Sequence, residues 1–130
     1  MKSYKIKFPH GIMFHHFHGK NHPIVQGSIG KETLSDIIEF IGIKNILNAD
    51  EWAHKFQNHT LKSNQVCLTF DDALKSQVDI ALPILRSYGL TGFFFIYSSS
   101  VSLAIQFIVL PLIFPSLNRG FGVMDGGDWV

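Results

Sequence analysis

Leu34, Ile37, Ile38 and Ile41 recur at i, i+3, i+4 and i+7, with Ser35, Asp36 and Glu39 between them. That is the period of a helix that buries one face. Ser28 is placed to cap its start and Gly42 to close its end in a left-handed conformation, so the pattern predicts a helix from about residue 29 to 41. Asn48, with Glu51 three residues on, has the arrangement of a capping box and predicts a second helix, whose buried face would be Trp52 and Phe56. Between the two, Lys44 to Leu47 reads as a short strand or an extended link.

Val66-Cys67-Leu68-Thr69-Phe70 is a β-branched and aromatic run of strand length, bounded by Asp71-Asp72. Val78, Ala81, Leu82 and Leu85 then form a helical stripe, with Gly89 as its C-terminal cap. Pro83 interrupts the hydrogen-bond ladder there, so the segment either kinks or begins its regular helix near residue 82. Gly92 to Tyr97 is a second uncharged, aromatic strand. Strand, helix and strand make a βαβ unit, which predicts parallel strands and a right-handed crossover. After Tyr97 no amphipathic period fits, and no internal repeat is present.

Composition sharpens this α/β picture. Of 130 residues 46% are hydrophobic and 16% charged, against roughly 25% charged in ordinary soluble domains. The length suits one compact domain, and the apolar content suffices for a core. A net charge of +1, without a basic stripe, argues against nucleic acid as a partner. Cys67 is the only cysteine, so no internal disulfide is expected. The opening MKSYKIKFPHG lacks the apolar stretch of a secretory leader, so a cytoplasmic location is expected. On that expectation Asn58-His59-Thr60 matches a glycosylation acceptor by chance. The distribution is uneven: five of the seven histidines fall between His10 and His22, and Ser87 to Asn118 carries no charge.

Two adjacent carboxylates at the carboxyl end of a buried parallel strand stand where α/β folds gather their sites. Adjacent aspartates repel unless something accommodates them. A bound cation does so by taking one carboxylate as ligand and leaving the other free as a base. The competing reading is structural, with Asp71 capping the next helix and Asp72 solvated. Position alone leaves both open.

The run Thr69-Phe70-Asp71-Asp72-Ala73 resembles the T-F-D-D-G motif that opens the NodB-type polysaccharide deacetylases, carbohydrate esterase family 4. The following helix and the Phe93-Phe94-Phe95-Ile96-Tyr97 strand resemble that family's next elements. Gly11 to Phe17 is similar to its histidine-bearing first strand, so the likeness spans roughly residues 5 to 99. The resemblance implies the front part of a distorted (β/α) barrel, incomplete in this chain. It also implies a metal-dependent hydrolase that removes N-acetyl groups from sugars, with Asp71 as general base and Asp72 as ligand to a divalent metal, usually zinc. A metal with open positions polarises the acetamide carbonyl and acidifies bound water, while a neighbouring carboxylate takes the proton.

The chain also departs from that pattern. The family's downstream H-[ST]-x-x-H has no counterpart, since no histidine follows His59, and its later arginine, aspartate and histidine motifs are missing. Ala73 stands in place of the motif's glycine. The expectation is therefore a truncated homologue with weak or no activity. Strand alternation would set His16 and His18 on one face and His15 on the other, so His16 and His18 with Asp72 are candidate zinc ligands. The alternative is that these histidines bind substrate, satisfy backbone groups or face water. Cys67, Trp52 and the Phe93 to Phe95 run read as packing, and His54 and His59 as solvated.

Division of the chain follows from the likeness: residues 1–99 as the deacetylase-like portion and 100–130 as a divergent tail, uncharged up to Asn118, in keeping with an out-of-frame ending. Phe93 to Phe114 is long enough to span a bilayer, but serines, Gln106 and Pro111 interrupt it, so a membrane anchor is the weaker reading. Besides the enzyme on N-acetylated carbohydrate, two other classes are open. One is a noncatalytic remnant that binds glycan or a partner, or self-associates, through an open sheet edge. The other is a small membrane-associated protein.

Overall fold

The computed structural model of the chain describes residues 4 to 96. The tail of 100–130, most of the candidate membrane segment and the end of the last predicted strand lie outside the described residues. Within them no helix is long and apolar enough to cross a membrane.

Three parallel strands form one sheet in the order β1 (His10–Phe14), β2 (Val66–Phe70), β3 (Phe93–Phe94). β1 and β2 run in register from His10 opposite Val66 to Phe14 opposite Phe70, and β3 pairs Phe93 with Thr69 and Phe94 with Phe70. β2 is the central strand, and four of its five residues are buried. The two-residue alternation of these strands separates the sheet's faces. Phe14, Leu68, Phe70 and Phe94 point into the core, where they meet Leu34 and Ile38 of α1 (Lys31–Ile41) and Leu85 of α3 (Leu82–Ser87). On the other face lie Met13, Thr69 and Phe93, which the register places in one row.

The predicted α1 stripe is the buried one: Leu34, Ile38 and Ile41 are the buried residues of that helix. Its start differs from expectation. Gly30 occupies the N-cap position, and the Ser28 hydroxyl instead donates to the Val25 carbonyl at 2.7 Å and accepts from the Val25 amide at 3.1 Å, closing its own turn. Lys44 to Leu47 is neither strand nor simple link: a 3₁₀ turn over Ile43–Asn45 leads into a single parallel bridge from Ile46 to Val66.

α2 (Ala49–Gln57) begins after Asn48 as predicted, but its contacts differ. The Asn48 carboxamide oxygen accepts from the Thr91 amide at 2.9 Å, and the Thr91 hydroxyl oxygen accepts from the Ala49 amide at 2.9 Å. Glu51 pairs with Lys55 at 3.0 Å. Phe56 is 65% exposed and Trp52 half-buried, so the predicted buried face is wrong; Ala49 is the buried residue of α2. A nine-residue helix docked mainly through its N-terminal end leaves its last turn in water.

Pro83 has the second of its two expected outcomes: it lies in the first turn of the regular helix α3, which begins at Leu82. Ahead of it the backbone widens into a π-helical turn over Gln77–Ala81. That wider turn rotates the stripe, so Gln77, Ala81 and Leu85 are buried while Val78, predicted inward, is 46% exposed. α3 ends in a Schellman motif. The Leu90 amide reaches the Leu85 carbonyl at 2.9 Å and the Gly89 amide the Arg86 carbonyl at 3.1 Å, around a left-handed Gly89 at φ 67°. Gly92 then lets β3 approach β2, since a Cβ there would lie 2.7 Å from the Phe70 ring and 2.9 Å from the Leu68 carbonyl oxygen.

Candidate functional site at the carboxyl edge of the sheet

Phe14, Phe70 and Phe94 are register partners across the three strands, and their rings form a continuous stack. Centroids are 5.4 Å apart for Phe14 and Phe70 and 4.5 Å for Phe70 and Phe94. Offset aromatic stacking and burial make this row a rigid floor. One residue beyond it the chain leaves the sheet at His15, Asp71 and Phe95. The ladder still holds there, for the Asp71 amide donates to the Phe14 carbonyl at 3.1 Å and the Phe95 amide to the Phe70 carbonyl at 2.8 Å.

On this edge His15 Nε2 lies 3.7 Å from Asp71 Oδ2, with the side chains 41% and 32% exposed. Both groups are therefore open to solvent or a ligand from above and fixed by the sheet from below. His15 was not singled out by sequence, because strand alternation put it on the face opposite His16 and His18. The strand stops at Phe14, however, and both Phe14 and Phe17 pack on Phe70, which breaks the two-residue period between them. A signal existed in the register of Phe14 with Phe70, from which His15 and Asp71 follow as neighbours, but only strand pairing reveals it.

After Asp71 the chain turns through two left-handed residues, Asp72 at φ 73° and Ala73 at φ 50°. Left-handed backbone is costly for a residue with a Cβ, and aspartate tolerates it better than alanine. That geometry supplies a physical reason for a glycine at the fifth position of a T-F-D-D-G motif. The turn delivers the chain to Gln77, whose side-chain amide donates to the carbonyls of both His15, at 2.9 Å, and Asp71.

The remaining histidines serve a loop. His18 shares a hydrogen bond with the Ser28 hydroxyl at 2.9 Å, while its amide bonds the Ile29 carbonyl at 3.0 Å. His16 is exposed. His22 closes a tight turn with Gly19, and its Nε2 meets Asp79 Oδ2 at 2.8 Å. Lys75 binds the same carboxylate oxygen, and the Lys75 ammonium first, then His22, holds the Asp79 carboxyl below its ordinary range. Cys67 is buried, and burial pushes its thiol up to about 12, which suits packing and not nucleophilic attack. Among the described residues no three His, Cys, Asp or Glu side chains come together as a set that could hold a metal ion.

No family model and no curated protein matches this chain. Solved structures do, and the likeness is one of fold: the chain has a NodB-like deacetylase fold. The structure of IcaB from Ammonifex degensii matches with a TM-score of 0.60 at 18% identity, over 74% of this chain and 41% of that one. The Streptococcus pyogenes deacetylase PplD, solved in complex with acetate, matches with a TM-score of 0.54 at 19% identity, over 83% of this chain and 53% of that one. The chain thus spans about half or less of the length of the solved structures it resembles.

Proposed function

We propose that this chain carries part of the site of a polysaccharide N-deacetylase, a hydrolase acting on N-acetylated sugars, built on an incomplete (β/α) barrel. The observation that carries this reading is the Asp71-Asp72 pair at the carboxyl edge of a parallel sheet whose fold matches two solved structures, one of them a deacetylase holding acetate. In this reading Asp71 is the base that accepts a proton from water attacking the acetamide carbonyl. His15 stands next to it, able to share or pass on that proton. Asp72 is the carboxylate proposed for a divalent metal, zinc by family resemblance. Its partners would be His16 and His18 or ligands supplied from elsewhere. His18 bonds Ser28 through Nδ1, so Nε2 is the nitrogen it would offer.

The 130-residue chain is expected to release little or no acetate from N-acetylated oligosaccharide, and any release is expected to vanish in Asp71→Ala. Zinc titration by calorimetry tests the metal half: tighter binding by the wild type than by His16→Ala and Asp72→Ala supports those ligands. Equal affinity in all three removes them.

A second reading, a binding module that associates through the sheet, draws on Met13 and Phe95, which are 58% and 51% exposed. The discriminating measurement is association state together with glycan binding in Met13→Ser, with acetate release as the counter-indication.

A further inference from the structure

Gln77 is 1% exposed; among the described residues Gln65, at 8%, is the other buried amide side chain. Burying a carboxamide is costly unless its polar atoms are matched. Its Nε2 is matched twice over: one hydrogen reaches the His15 carbonyl at 2.9 Å and the other the Asp71 carbonyl. Those carbonyls belong to the first residues beyond β1 and β2, the same two residues whose side chains approach to 3.7 Å. Both acceptors are carbonyl oxygens, so the amide orientation is fixed, because the reverse would set three oxygens against one another. The cost of that orientation is visible, for Oε1 finds no hydrogen-bond partner among the described residues. The π-helical turn over Gln77–Ala81 is what turns position 77 inward. A polar residue kept in the core with one atom unsatisfied, in a widened turn, is a poor device for stability alone.

We propose that Gln77 is a positioning residue of the carboxylate edge: its amide straps the two strand ends together and thereby sets the approach of the His15 ring to the Asp71 carboxylate. The proposal deepens the functional reading above and rests on it for the importance of that pair, but the geometry it concerns is measurable without turnover. Loss of the strap would leave β1 and β2 paired through Phe14 and Phe70 while the two residues beyond them relax independently.

NMR on the full chain tests this. In the wild type, both Gln77 carboxamide protons should exchange with water far more slowly than those of the exposed Asn64 and Gln57. In Gln77→Met, which keeps length and apolar bulk, the carbonyl ¹³C resonances of His15 and Asp71 should shift upfield and the nuclear Overhauser contact between the His15 ring and the Asp71 methylene should disappear. Signals of the Phe14, Phe70 and Phe94 rings should stay in place. A Gln77→Met protein that is folded and retains that contact overturns the proposal, as does rapid exchange of the wild-type Gln77 amide, a measurement that needs no variant to fold. Equal zinc affinity in the wild type, His16→Ala and Asp72→Ala, with the NMR result as expected, would sink the metal-site reading and leave the strap standing.

Discussion

Ala73 sits at φ 50° directly after the two aspartates, in a conformation that a Cβ makes unfavourable by about 1–2 kcal/mol. Ala73→Gly should remove most of that strain while loosening the unfolded chain by about 0.4–1 kcal/mol. The expected net result is a protein about 0.5–1 kcal/mol more stable, read as a higher urea midpoint at unchanged slope. A lower midpoint would mean that the turn gains more from alanine than its backbone loses. At this scale the sequence was informative about chemistry: the run from Thr69 to Asp72 named the strand end and its carboxylates. His15 and Gln77 were not legible, since a histidine among five and a glutamine in a helical stretch carry no local mark. Each acquires its place from a partner more than fifty residues away in the chain.

Element boundaries followed hydrophobic period where one face alone decided the matter. α1 is of that kind, whereas β2, buried on both faces, was marked by its continuous β-branched and aromatic run; Gly42 and Gly89 terminate α1 and α3 at residues of positive φ. α2 differs because its N-terminus is held by an exchange of bonds with the loop before β3. Asn48→Ala should cost about 1 kcal/mol and Thr91→Val a similar amount, in proportion to single caps and hydrogen bonds. The double variant should cost less than the sum, because both bonds join the same two segments. Strict additivity in urea unfolding would show that the two contacts act separately. In α3 the pattern failed by rotation: a widened turn ahead of Pro83 exchanged Val78 for Gln77 on the inner face. No propensity scale marks such a turn.

Across the molecule, the histidine-rich loop is joined to the crossover by His22 and Asp79, with Lys75 on the same carboxylate. The Asp79 carboxyl is held below its ordinary value of 3.8 in the folded state. A carboxyl lowered on folding contributes stability that is present above the unfolded value and is lost as pH falls through the folded one. Asp79→Asn should therefore be less stable than wild type near pH 6, and the difference should close in acid, once the pH has fallen through the lowered folded-state value. Denaturation curves in both conditions check this, and a difference that persists in acid would assign it to packing. His22 thus ties the loop to the crossover.

By itself the sequence determined the strand–helix–strand order, the parallel sense of its strands and the two aspartates at a strand end. Each of these is written in local period and in the residue types a buried strand or a cap requires. Tertiary structure decided which side chains meet those aspartates. Register between β1 and β2 set His15 at Asp71, the widened turn brought Gln77 beneath both, and Ser28 and Asp79 claimed His18 and His22. Such pairings depend on distances through space between segments far apart in the chain. Hydrophobic period records only which face of each segment is inside.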